Sequence, residues 1–237
     1  MLAFRALKQG LKYRYENWRM WSNYMVVAMD VGELSEACRA QARIVEERAA
    51  KVGAECVDEA VLARLVDAVT RSPAVVHTDR DVDGTVDTAQ QQQRDAVTHP
   101  NEGRGLLKRV LDLFERTILP RVSSPGIFHA YARLLTWQAR WQDALKAHLD
   151  GYRCGTAGTF GQEGGDVAEA AKWRAAVREV DEIVDVLRNF GPRVQGRHWK
   201  HQARSIVRTF VGRSRDFQDE PEWSRLLEIQ EELRNDA

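Results

Sequence analysis

Little in this chain favours a β-sheet, a disulfide framework or a membrane span. Valine and threonine runs such as 74–78 are short and sit among turn-forming and polar residues, so the alternation expected of strands is nearly absent and the sequence reads as all-α. Only three cysteines, Cys38, Cys56 and Cys154, occur in 237 residues. They are too scattered for a disulfide scaffold or a zinc site. Cys38 falls inside a helical pattern and reads as a small apolar packing residue. No window approaches the roughly 18 consecutive apolar residues of a membrane-spanning helix, and the first residues carry no apolar stretch of the signal-peptide kind. The expectation is therefore a cytoplasmic and/or nuclear location and no membrane partner. There is no excess of charge of either sign. Lys+Arg and Asp+Glu both total 35, so no net field attracts nucleic acid, and a nucleic-acid partner is not expected for the chain as a whole. The motifs of catalysis are missing too: no GxSxG, no P-loop and no HExxH. The Gly-rich stretch 155–165 follows no strand and has no Lys-Ser/Thr pair. The sequence predicts no catalytic residue, no metal, no cofactor and no enzyme.

What the chain does have is paired helical patterns. Trp21, Tyr24, Met25 and Ala28 recur at i, i+3, i+4 and i+7, one face of a helix. Gly32 stands where that helix must stop and reverse, a position that favours φ > 0. Leu34, Ala37, Gln41 and Ile44 then mark the inner face of a second helix. A large residue, a Gly eleven positions on and a small Ala five after that form the skeleton of a tetratricopeptide repeat. The requirement is steric: Trp21 plugs the space between the helices, and Ala37 lets them approach. Ala3, Leu7 and Gly10 precede Ala37, Gln41 and Ile44 by 34 residues, the period of that repeat. The chain thus starts in mid-repeat, and the expectation is the C-terminal part of a longer protein.

Further along, Asp58 caps a predicted helix over 57–71 with Val61, Leu65 and Val69 as its stripe, ended by Pro73. The stretch 73–103 is rich in Asp, Gln, Thr and Gly and reads as a disordered insert. A strongly amphipathic helix over 105–119 follows. A second, degenerate repeat spans 125–152, with Pro125 at its start, Phe128 as the large residue, Ala144 as the small contact, and Ala139 where the first copy has Gly32. After the Gly-rich 155–166, read as a linker, come three apolar stripes. They are Trp173, Val177, Val180, Ile183, Val184, Leu187 and Phe190; then Trp199, Ala203, Ile206, Val207 and Phe210; then Trp223, Leu226, Leu227 and Leu233. The predicted architecture is a right-handed tetratricopeptide-type α-solenoid over 1–153 with a C-terminal three-helix cap over 167–237.

Residues 3–48 resemble the C-terminal region of the tetratricopeptide repeat protein 27 family, as a fungal member. The elements that carry the resemblance are Ala3–Phe4, Trp18, Trp21–Tyr24, Asp30–Glu33 and Glu36–Ala37. It continues more weakly but collinearly over 104–153. The resemblance implies a scaffold whose partners are proteins: U5 spliceosomal proteins or chaperone adaptors, with a link to cell-wall maintenance in fungi.

On the residues alone, the expected partner-binding face is the first-helix surface formed by Arg19, Ser22, Asn23 and Val26. A different reading uses a basic stripe, Arg197, Lys200, Arg204 and Arg208, with His201 and Arg215, to contact phosphate, an acidic peptide or RNA. The stripe lies opposite the Trp199–Phe210 face and has no aromatic interleaving for base stacking, so a solvated face, or pairing with Glu228, Glu231 and Glu232, is the simpler expectation. Asp79 to Asp87 follows nine positions of a calcium loop, but Gln90 replaces the bidentate Glu, and a solvated acidic insert is the simpler reading. His198 and His201 lie at i, i+3 without a local third ligand. Chaperone-tail clamps place Lys, Asn and Arg on first-helix faces. The matching positions hold Ser22, Asn23 and Val26, then His129, Ala130 and Arg133, and of these Asn23 alone fits.

Overall fold

The computed structural model describes residues 2–71, 105–160 and 168–235. The acidic stretch 79–90 and residues 161–167 lie outside them. Every regular element among the described residues is helical. The fold is all-α, of the tetratricopeptide-type solenoid class. The chain groups into two compact units, Met1–Ser123 and Ser124–Ala237. The helix pair at 125–152 falls in the second of these units.

The first unit begins with α1 (Leu2–Tyr13), α2 (Trp18–Asp30) and α3 (Leu34–Val52). Asn17 caps α2, its side chain accepting from the backbone N–H of Arg19 and Met20. At the other end Gly32 takes φ 83°, and the Glu33 N–H reaches back to the Ala28 carbonyl at 2.8 Å. That bond spans five residues and closes a Schellman-type reversal. The paired helices then meet through Trp21, Tyr24, Ala28, Ala37 and Ile44, all buried. Trp21 plugs the pair as its spacing predicts, and its indole N–H donates to the Tyr15 carbonyl at 2.6 Å. Phe4 of α1 stacks on Tyr24 with ring centroids 5.0 Å apart, and Lys8 bonds Glu36 at 2.9 Å. Burial pushes the Glu36 carboxyl up, but Lys8, the Tyr24 hydroxyl and Arg39 outweigh it and hold the group below its usual range.

Gln41 is wholly buried, and its polarity has a purpose. Its amide N–H donates to the Cys56 carbonyl at 3.0 Å, and its oxygen accepts from the Asp58 N–H at 3.2 Å. One side chain thus fixes the turn between α3 and α4 (Glu59–Arg71). Asp58 caps α4 as predicted, accepting from Val61 N–H. Cys38 is buried in the same core, and burial pushes its thiol up to about 12. Helix α5 (Leu106–Asp112) continues into a wider π-type stretch, Leu113–Ile118, with Leu119 N–H bonded to the Phe114 carbonyl.

The second unit starts with α6 (Pro125–Trp137), capped by Ser124, and α7 (Trp141–Cys154). The reversal between them repeats that of the first pair. Arg140 N–H bonds the Leu135 carbonyl at 3.0 Å, but the left-handed position is filled by Ala139 at φ 58°. The fully buried Ala144 provides the close contact, and Gly151 lets Phe128 approach.

Three expectations for the C-terminal part change. The stretch read as a linker contains a short helix, α8 (Thr156–Thr159). The Glu179 carboxylate, 23 residues beyond Thr156, accepts from the Thr156 and Ala157 N–H groups at 3.2 and 2.8 Å and holds it. Helix α9 (Ala168–Val194) runs past Phe190 and carries Pro192 inside its last turn, where one backbone hydrogen bond is forgone. In α11 (Trp223–Asn235) the inner face is Leu226, Ile229 and Leu233, while Leu227 is 45% exposed. Helix α10 (His198–Arg213) buries Trp199, Ala203, Val207 and Phe210 as predicted. It approaches α9 at Gly191, where an added Cβ would lie 2.3 Å from the Trp199 Cβ.

Two outcomes follow for stability. Ala139→Gly relieves a left-handed alanine and raises stability by about 0.5–1 kcal/mol, less than the full strain because the unfolded chain gains freedom. Gly191→Ala forces α9 and α10 apart and costs about 1–3 kcal/mol. Thermal unfolding followed by circular dichroism reads both, as a higher Tm for the first variant and a lower one for the second.

Candidate interaction site

Helix α2 turns one row of side chains to solvent and a neighbouring, more buried row towards a cleft. Arg19, Asn23 and Val26 form one row; all three are exposed, Val26 at 46%. Trp18, Ser22 and Met25, one residue earlier in phase, line a cleft of about 570 Å³ in the first unit. Arg48 of α3 and the Glu55 and Asp58 side chains complete its walls. The Arg48 guanidinium lies 4.1 Å from the Trp18 ring centroid and that of Arg19 5.4 Å, so two cations flank one indole. Of the four residues expected to bind a partner, Ser22 lies in the cleft, Arg19 borders it through Trp18, and Asn23 and Val26 sit on the adjoining surface. Arg48 and Glu55 escape sequence reasoning, because only the packing of α3 and the turn after it brings them beside α2.

The second unit has a cleft of about 470 Å³ on its own helix pair. Its walls are His129 and Arg133 of α6, His148 and Tyr152 of α7, and Glu182 and Asp185 of α9. His129 and Arg133 are two of the positions compared with a chaperone-tail clamp; the third, Ala130, is buried. The imidazoles of His129 and His148 lie 6.0 Å apart, and His148 also packs on Phe190 at 5.8 Å. Burial, with a smaller push from His129, lowers the His148 pKa to about 4. His148 is thus a neutral packing group at physiological pH. Tyr152 is pushed up to about 12 by burial.

The basic stripe is distributed differently from its expected place opposite the apolar face. Arg204 donates through Nε and Nη2 to the Leu233 carbonyl at 2.9 and 2.7 Å, capping the last turn of α11. Arg208 borders the α10–α11 seam beside Val207. Lys200 lies 5.9 Å from the Trp199 ring, and Arg197 is exposed. Two of the carboxylates expected to neutralise the stripe are engaged elsewhere: Glu232 by Arg188 and Arg225, and Glu228 by Arg225. His198 and His201 are exposed. Among the described residues no group of three or more His, Cys, Asp or Glu side chains converges on a metal position, and no helix is long and apolar enough to cross a membrane.

The chain is similar to tetratricopeptide-repeat proteins. A tetratricopeptide repeat-containing protein of Schizosaccharomyces pombe is 27% identical over 98% of this chain and 25% of its own length. The Saccharomyces cerevisiae protein named "Essential for maintenance of the cell wall protein 1" is 22% identical over 98% of this chain and 24% of its own. The tetratricopeptide repeat-containing protein trd-1 of Caenorhabditis elegans is 33% identical over 91 residues, 38% of this chain and 11% of its own. The chain therefore spans about a quarter of the length of the two fungal relatives. No family model and no solved structure matches it. The similarity supports a protein-interaction scaffold.

The lowered pKa of His148 makes stability pH-dependent with a definite sign. Its folded-state value of about 4 lies below the unfolded value of about 6.5, so the unfolded chain takes up the proton first. The contribution is complete above about pH 6.5 and is lost as pH falls towards 4, by on the order of 2 kcal/mol after solvent screening. Tm measured between pH 7.5 and pH 5, conditions set by those values, is expected to fall less steeply in His148→Phe than in the wild type.

Proposed function

We propose that this chain is the part of a tetratricopeptide scaffold that presents the α2 surface, Arg19, Ser22, Asn23 and Val26, to a protein partner in an assembly pathway. The observation that carries this reading is the pairing of an exposed, mixed polar and apolar row with a rigidly buried one on the same helix. Trp21, Tyr24, Met25 and Ala28 are locked in the core, so the outward row is held in place before any partner arrives. Such preorganisation lowers the entropy lost on binding. A helix or extended segment that lays a small apolar side chain on Val26 and hydrogen bonds on Ser22 and Asn23 is the matching ligand.

The resemblance of residues 3–48 to the tetratricopeptide repeat protein 27 family supports U5 spliceosomal proteins or chaperone adaptors as partners, acting in the cytoplasm and/or nucleus. The S. cerevisiae relative, whose name refers to cell-wall maintenance, supports a pathway on which a fungal cell wall depends. The α2 surface would supply recognition alone, with no catalytic step.

Affinity capture with the 237-residue chain and its Arg19→Glu, Asn23→Ala double variant, followed by quantitative mass spectrometry, tests this reading. The expected result is recovery of U5 proteins or chaperone adaptors by the wild type and their loss from the variant. Equal recovery by both baits would move the binding surface away from α2, and recovery of neither class would remove the assembly reading.

A further inference from the structure

Helix α11 is two-faced in charge. Towards α9, Glu232 accepts from Arg188 at 2.5 Å, and Asp181 of α9 accepts from Arg225 at 2.9 and 3.2 Å. Towards α10 the character reverses. A cleft of about 410 Å³ is walled by Arg204, Arg208, Arg234 and Gln230, and the fully buried Val207 and Leu233 close its floor. Among the described residues no carboxylate lines it. Arg204 is immobilised by its two bonds to the Leu233 carbonyl. Arg208 and Arg234 are exposed and form no ion pair among the described residues.

We propose that this cleft docks an acidic protein segment, with carboxylates received by Arg208 and Arg234. Three guanidinium groups around one concavity repel one another, and an anion placed between them removes that repulsion. The planar fork of Arg suits a carboxylate in bidentate geometry. Arg204, pinned to the backbone, contributes charge without needing to move. The aliphatic stems of the arginines and Gln230 wall the cleft, and they suit a short apolar side chain between acidic ones. A nucleic acid fits less well. Among the described residues no aromatic side chain lines the cleft, and Trp199 and Phe210 on the same helix are buried, so these offer no platform for base stacking. The net charge of zero gives no long-range attraction to a polyanion. This site lies in the other compact unit from the α2 surface and uses different chemistry, so either can fail without the other.

Fluorescence anisotropy on the full 237-residue chain tests it. The probes are a labelled Glu-Glu-Leu repeat peptide, its Lys-Lys-Leu counterpart, and a uridine-rich single-stranded RNA of equal charge. Titrations run at about 0.05 and 0.15 M salt to expose the ionic component. The wild type is expected to bind the Glu-rich peptide and not the Lys-rich one, more weakly at the higher salt. Arg208→Glu and Arg234→Glu are each expected to weaken binding at least about tenfold. Arg174→Glu, at an exposed position of α9, carries the same charge change and is expected to leave binding unaltered. Circular dichroism confirms that each variant remains helical. Absence of peptide binding, equal losses in all three variants, or tighter binding of the RNA with loss in the same two variants would each overturn the proposal.

Discussion

The structure depends on forcing the chain to reverse within two or three residues. Between α2 and α3 the reversal runs through Gly32, and between α6 and α7 through Ala139, both with positive φ. In each case an N–H beyond the turn bonds a carbonyl five residues back. That geometry leaves the two helices antiparallel and close, which is tolerable only where a small residue faces the contact. Ala37 and Ala144 meet that need, both with no exposed surface. Large residues then fill the space the small ones leave: Trp21 and Tyr24 in the first pair, Tyr131 and Leu135 in the second. The outward row of α2 is fixed as a consequence, because its inward row has nowhere else to go.

Local patterns made much of this legible. The cap at Asp58, the helix start at Pro125, the left-handed turn at Gly32 and the stripe of α9 all depend on residues within a few positions of one another. What escaped the sequence depends on distance. The short helix α8 exists because Glu179 supplies acceptors for its first N–H groups; its own composition favours a turn. In α11, Leu226 and Leu227 are adjacent, and only packing against the neighbouring helices decides that Ile229 goes in and Leu227 stays out. Glu232 of α11 could have served α10 or α9, and its pairing with Arg188 of α9 is a matter of which side of the helix it lies on. The clefts were invisible for the same reason, since each is walled by residues from separate elements.

Polar groups divide into two kinds. Gln41, Glu179 and Arg204 each bond backbone atoms of another element with two hydrogen bonds, and in doing so replace the water those atoms would otherwise need. They are framework, whatever their polarity suggests. Arg19, Asn23, Arg208 and Arg234 have no such duty and face solvent. Separating the two kinds narrows the recognition surface more than composition can. It takes Arg204 out of the basic stripe as a ligand-seeking group and brings in Arg234, which the periodicity of α10 could never have suggested.

The burial of Cys38 has a use beyond packing. Its thiol is enclosed in the core of the first unit, and burial pushes its pKa up to about 12, so almost none of it is thiolate at neutral pH. It borders a cleft of about 270 Å³ shared with Arg39 and Arg109 but is only 4% exposed, so an alkylating reagent reacts with it slowly unless α3 and its neighbours part. The cysteine is therefore a built-in clock for the breathing of the helix pair that holds the α2 surface. Its rate of modification would report whether a bound partner tightens that frame or leaves it as free to open as before.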